Sequence, residues 1–117
     1  MPNLRIWIIG CWLAAALVAS PGVCSAQAKD DKVKAQRLFK EANTLFTRGM
    51  YLDALARYRQ ARKLYASYKI DLQIGETLRY LKRYTEAAVY YDRFMMSAAE
   101  VPKPIIRQVK RELKKLR

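Results

Sequence analysis

The sequence predicts an all-α protein built from antiparallel helix pairs stacked on one another, and three observations carry that expectation. From Asp30 to Arg117 no alternating strand pattern of useful length occurs, while apolar residues recur at helical spacing throughout. Turn chemistry is sparse, and the four glycines are scattered. The chain also repeats itself: YLDALARY at residues 51–58 returns as YTEAAVYY at residues 84–91, a shift of 33.

The elements follow in order. Leu38, Ala42, Leu45 and Phe46 mark a first helix that Gly49 closes. Leu52, Leu55, Tyr58, Ala61, Leu64 and Tyr65 mark a second, with Asp53 in its first turn, where the helix dipole favours negative charge. ASYK, residues 66–69, interrupts the pattern. Leu72, Gly75, Leu78 and Leu81 mark a third helix, closing near Lys82 and Arg83. Ala87, Ala88, Tyr91 and Met95 belong to a fourth, with Thr85 and Glu86 expected at its start. Pro102 and Pro104 are expected to stop it and to begin a fifth, where Ile106, Val109, Leu113 and Leu116 form one stripe. Helical spacing also suggests ion pairs Asp30–Lys34, Arg37–Glu41 and Asp53–Arg57.

The shift of 33 superposes Ala42 on Gly75, Leu45 on Leu78, Tyr51 on Tyr84, Ala54 on Ala87 and Tyr58 on Tyr91. Small residues recur where two helices cross closely, and large ones fill the flanking holes. One such pair cannot bury its own apolar face, so writing the pattern twice lets the pairs stack. Ala54 and Ala87 are therefore expected at crossings, and Ala35 and Ala66 near tolerant helix ends. The fifth helix is expected to cover Val89, Phe94 or Met96. Tyr51, Tyr58 and Tyr65, seven apart, should form a core stripe, which leaves Tyr68, Tyr80 and Tyr90 as the exposed aromatics.

The pattern Leu38-x-x-Glu41-Ala42-x-x-Leu45 followed by Ala54-x-x-x-Tyr58 has a second copy in Ile74-Gly75-x-x-Leu78 and Ala87-x-x-x-Tyr91. With Gly49, Tyr51 and Tyr84 at the turns, it resembles the tetratricopeptide repeat, whose units have about 34 residues. KIDLQIGETLRYLKRYTEAAVYYDRF is similar to exported bacterial members of that family. The chain departs from the pattern at Leu38 and Asp71, where tryptophan is frequent, and at Lys82, which replaces the turn glycine. Phe94 stands where a small residue is usual, and neither repeat ends in proline. The resemblance implies repeats at about 35–68 and 69–101, a capping helix at 103–117, and a short right-handed solenoid. Its first helices would line a concave groove for a partner peptide or protein.

At about 100° per residue, the first helix turns Leu38, Phe39, Ala42, Leu45 and Phe46 inward and leaves Gln36, Lys40, Asn43 and Thr47 as the free stripe. Its counterpart on the third helix is Lys69, Gln73, Glu76 and Tyr80, with Phe39, Leu72 and Arg79 at the edge. Amides, cations, one acid and an aromatic suit an extended peptide. Family members that grip a free carboxylate use lysine and asparagines on this face. Asn43 matches one asparagine, but Phe39 stands where the lysine should be and Glu76 would repel the ligand.

Residues 1–28 read as a signal peptide: Arg5, an apolar run from Ile6 to Ala19, the breakers Pro21 and Gly22, then Ala26-Gln27-Ala28. The expectation is export to the periplasm or beyond with cleavage near Ala28; the alternative is an uncleaved N-terminal membrane anchor. Removal of 1–28 leaves 89 of the 117 residues and takes both cysteines, Cys11 and Cys24, with it. The absence of histidine excludes Ser-His-Asp and Cys-His catalysis and nearly all zinc sites. No Gly-rich phosphate loop occurs. The chain is therefore expected not to be an enzyme and to carry no cofactor or metal.

The part beyond Ala28 keeps 22 basic residues against 10 acidic ones. PKPIIRQVKRELKKLR concentrates Lys103, Arg107, Lys110, Arg111, Lys114, Lys115 and Arg117 against a single acid, Glu112. This is either the polar outer face of a cap or a surface for an anionic partner: an acidic protein, a membrane surface or a polyanionic glycan. Nucleic acid, which such charge would ordinarily invite, is set aside because an exported chain rarely meets it. The expected function is an adaptor or assembly factor of the cell envelope that holds a protein or peptide in the groove. The alternative is an envelope binder working through the basic helix, and a second copy of the chain is a further candidate partner.

Overall fold

Helices α1 (Pro21–Thr47) and α2 (Tyr51–Leu64) form one antiparallel pair, and α3 (Tyr68–Tyr80) and α4 (Tyr84–Met96) form the next. After a short 3-10 turn, Ala98–Glu100, helix α5 (Lys103–Leu116) packs on α4. The computed structural model describes residues 21–117, and no strand occurs among them. Each helix packs on the next in chain order, the arrangement of an all-α helical-repeat solenoid. The apolar run at 6–19 lies outside the described residues; α1 runs unbroken through Ala28, the expected cleavage position.

The two hairpin turns are built alike. In the first, the Met50 amide donates to the Leu45 carbonyl at 2.9 Å and the Gly49 amide to that of Phe46 at 2.9 Å. In the second, Arg83 donates to Leu78 at 2.9 Å and Lys82 to Arg79 at 3.0 Å. Both are Schellman closures, and both need a left-handed residue just past the helix. Gly49 supplies it at φ 78° and Lys82 at φ 59°. Lysine thus holds the glycine's conformation, against the steric preference of a residue with a Cβ.

The crossings follow the repeat. Ala42, Ala54, Ala61 and Ala87 are fully buried, as are Tyr58, Ile74, Leu78 and Phe94. A Cβ placed on Gly75 would come within 2.8 Å of the Tyr91 ring, so glycine sets the approach of α4 to α3. Ala35 is buried as well, which corrects the expectation that it sits at a tolerant end: α1 begins well before it.

Other expectations change with the face or the helix end on which a residue lies. Leu52 is 68% exposed, and Leu64 and Tyr65 also face solvent, so of Tyr51, Tyr58 and Tyr65 only Tyr58 is core. Helix α4 ends at Met96, well before Pro102. Helix α5 buries Val109 and Leu113. Of the α4 residues expected beneath it, Phe94 is buried against Tyr68, with ring centroids 6.0 Å apart. Val89 and Met96 stay exposed, because they lie on the opposite face of α4 from Ala87, Tyr91 and Phe94. Thr85 does not cap α4; its N-cap is Arg83, which pairs with Glu86 at 2.7 Å.

Ion pairing joins helices more than it lines them. Arg57 pairs with Glu41 across α1 and α2 at 3.8 Å rather than with Asp53, and none of the three pairs expected from spacing forms. Arg59 reaches Glu86 at 3.3 Å, and Arg62 binds Asp71 at 2.6 Å. Asp71, only 8% exposed, is thus compensated by a cation from the preceding helix pair.

Two predictions follow from these packing rules. Ala54→Leu, Ala35→Leu and Gly75→Ala should each lower stability by about 1–3 kcal/mol through overpacking, whereas Ala66→Leu, on an exposed position, should change little. Equal melting temperatures for all four would contradict the crossings. Gly49→Ala should destabilise although open space surrounds its Cα, and Lys82→Gly should stabilise, each by about 1 kcal/mol. Urea titration of the two variants reads the opposite signs.

Candidate functional site

Helices α1 and α3 both pack on α2, and the face they flank carries the candidate residues. At one end of α3, Phe46 of α1 meets Tyr80 edge-on at 5.2 Å, and Tyr51 of α2 stacks on Tyr80 at 5.0 Å. At its other end the two helices separate around a cleft of about 610 Å³. Lys32, Ala35, Gln36, Phe39 and Lys40 of α1 line it, with Ile70, Tyr68 and Lys69 of α3 and Tyr65 and Ser67 of the connection. The ring of Phe39 leans on that of Tyr58 at 5.6 Å, which fixes the floor. Ser67 caps α3 by accepting from the Lys69 amide at 3.3 Å.

A second cleft, of about 500 Å³, opens where α5 passes α3. Arg79, Tyr80, Lys82 and Tyr84 face Glu112, Lys115 and Leu116 across it. The Arg79 guanidinium lies over the Tyr80 ring at 5.1 Å, and Lys115 pairs with Glu112 at 3.1 Å.

The sequence-derived stripe is therefore divided. Gln36, Phe39, Lys40 and Lys69 share the first cleft, and Arg79 and Tyr80 the second. Between them Asn43 is engaged within the chain, its amide oxygen accepting from the Tyr58 hydroxyl at 2.5 Å. Thr47 donates to the Asn43 carbonyl at 2.9 Å. Leu72, Gln73 and Glu76 are half-buried and line neither cleft. Lys32, Tyr65 and Ser67 escaped sequence reasoning. The spacing of Lys32, Gln36 and Lys40 at i, i+4 and i+8 was the available signal.

Lys103, Arg107, Lys110, Arg111, Lys114, Lys115 and Arg117 are all exposed. Arg117 reaches back to Asp92 of α4 at 2.9 Å, which ties down the end of α5. No helix among the described residues is long and apolar enough to cross a membrane.

The electrostatics of the shared face centre on Glu76. Burial raises its carboxyl above the ordinary value of 4.5; Arg79 opposes this and Glu112 adds to it. Burial pushes the Tyr58 hydroxyl up to about 12, and the charge of Glu76 pushes in the same direction. Tyr58 therefore supports the fold below pH 10 and loses that support as pH rises towards 12. Tyr91, the counterpart of Tyr58, is also raised by burial. Its hydroxyl and Arg79 Nε are both buried, and the Arg79 guanidinium beside the ring opposes the effect of burial. Comparison with protein-family models, curated proteins and solved structures returned no match.

For Glu76 the sign is fixed by its raised value. The stabilising contribution belongs to the protonated form, is complete below pH 4.5, and disappears as the carboxyl ionises in the fold. Glu76→Gln should therefore raise the melting temperature at neutral pH and bring no gain at roughly pH 4. A gain of equal size at both values would locate its origin in packing instead.

Proposed function

We propose that the chain is an exported protein–protein interaction module of tetratricopeptide type, an adaptor or assembly factor of the cell envelope. Its partner segment lies against the face shared by α1 and α3. The observation that supports this most directly is the open cleft between α1 and α3, lined by residues from both helices and from the α2–α3 connection. The in-phase Schellman turns at Gly49 and Lys82 support the repeat assignment, since a shift of 33 carries one set of bonds onto the other. The signal-like segment at 1–28 supports export.

A second reading rests on α5. Lys103, Arg107, Lys110, Lys114 and Arg117 recur at alternating steps of four and three, so they fall within an arc of about 80°. The adjoining side, roughly a quarter turn round the helix, buries Val109 and Leu113. Such a stripe suits a flat anionic surface of the envelope, reached without insertion of apolar side chains.

The two readings differ in the surface they use. A photo-crosslinking residue at 40, 73 or 80 should trap the partner in the envelope fraction, whereas one at 52 or 96, on exposed positions away from the clefts, should not. Reversing Lys110 and Lys114 to glutamate should leave those adducts intact. Adducts from 52 and 96 alone would overturn the groove reading, and loss of envelope association on the reversal would transfer the function to α5.

A further inference from the structure

We propose that the cleft at the N-terminal end of α3 receives an acidic segment of a partner protein in which one large apolar side chain is flanked by carboxylates. The inference rests on the interaction-module reading and names the chemistry of its ligand. Three ammonium groups, those of Lys32, Lys40 and Lys69, line the cleft, and no carboxylate does. None of the three forms an ion pair among the described residues. The acids closest to them in sequence are engaged elsewhere: Asp31 accepts from Gln27, Glu41 pairs with Arg57, and Asp71 pairs with Arg62.

Two of these ammonium groups sit over aromatic rings. Lys32 Nζ is 5.4 Å from the Tyr65 ring centroid and Lys69 Nζ is 6.0 Å from that of Tyr68. Rings partly replace water around these cations without neutralising them, so a carboxylate arriving there meets an unspent charge. The first turn of α3, from Tyr68 to Ile70, adds the positive end of a helix dipole to the same cleft.

The floor decides between kinds of anion. Ala35, Phe39 and Ile70 give it an apolar base that a free phosphate would leave unused, and a bilayer surface cannot enter it. The volume of about 610 Å³ falls within the range of side-chain and small-ligand sites. Gln36 and Ser67 at the rim supply an amide and a hydroxyl for the backbone of an extended segment.

The test uses the whole chain and a fluorescein-labelled peptide, Gly-Asp-Glu-Phe-Glu-Asp-Gly, followed by anisotropy. The peptide should bind, and binding should weaken as salt rises from roughly 0.05 to 0.3 M. Lys40→Glu with Lys69→Glu should weaken it at least about tenfold, with an unchanged far-UV spectrum. Lys110→Glu with Lys114→Glu should weaken it far less. Replacing the phenylalanine by serine, or the acids by lysine, should abolish it. No binding by the unaltered chain, equal loss in the α5 variant, or equal binding of the serine peptide would each overturn the inference. Crosslinks retained at 73 and 80 would then show that the interaction-module reading survives it, and their loss that both fail.

Discussion

The contact between a tyrosine and a residue too small to resist it organises this chain. Tyr91 lies so close to Gly75 that a single added carbon would enter its ring. A buried glycine inside a helix is locally unfavourable, and it is tolerated because it lets α4 lie close enough to α3 for Ile74, Leu78, Ala87 and Phe94 to be buried together. In the first pair Ala42 occupies the position of Gly75 and Tyr58 that of Tyr91, both fully buried. With each hairpin closed in this way, α1 and α3 flank α2, and the two clefts open at opposite ends of α3, one towards α1 and the other towards α5.

Much of this was legible in the sequence because small–large alternation at a fixed shift is a direct record of helix crossings. Gly49 announced a left-handed turn, and the same shift identified Lys82 as its counterpart although lysine has no preference for that conformation. What could not be read was where each helix stops facing its neighbours. Leu52 and Leu64 were placed in the apolar stripe of α2 yet are 68% and 36% exposed, since apolar recurrence alone does not report how far a partner covers a helix. The first cleft was half legible for a related reason. Gln36, Phe39, Lys40 and Lys69 belong to regular helices, whereas Tyr65 and Ser67 are placed by the α2–α3 connection, which has no period.

The two repeats share a scaffold but not a surface. Asn43 and Glu76 occupy one position in the repeat, and their difference propagates through the face. Asn43 accepts a hydrogen bond from Tyr58 and ties α1 to α2. Glu76 carries a carboxyl that burial raises above its ordinary value, and the Arg79 guanidinium opposes that rise. Tyr91 has Arg79 as its charged neighbour, where Tyr58 has the Asn43 amide. The hydroxyl that a neutral amide holds in the first repeat is thus faced by a cation in the second.

Charge is divided along similar lines. Five of the ten carboxylates take part in ion pairs, most of them between helices, as with Glu41, Asp71, Glu86 and Asp92. Four of the ten acids join one helix to another, and the cations without an acid partner among the described residues include those of the first cleft and most of those on α5. These two sets differ in their surroundings. The α5 stripe is fully in water, where salt of physiological strength screens it beyond about 8 Å, so it can draw in an anionic partner but discriminates weakly between partners. The cleft lysines are exposed as well, but rings lie beneath two of them and an apolar floor below. On the proposed reading, attraction along α5 and selection in the cleft are separable, and the apolar and aromatic floor, more than the net charge, distinguishes the second from the first.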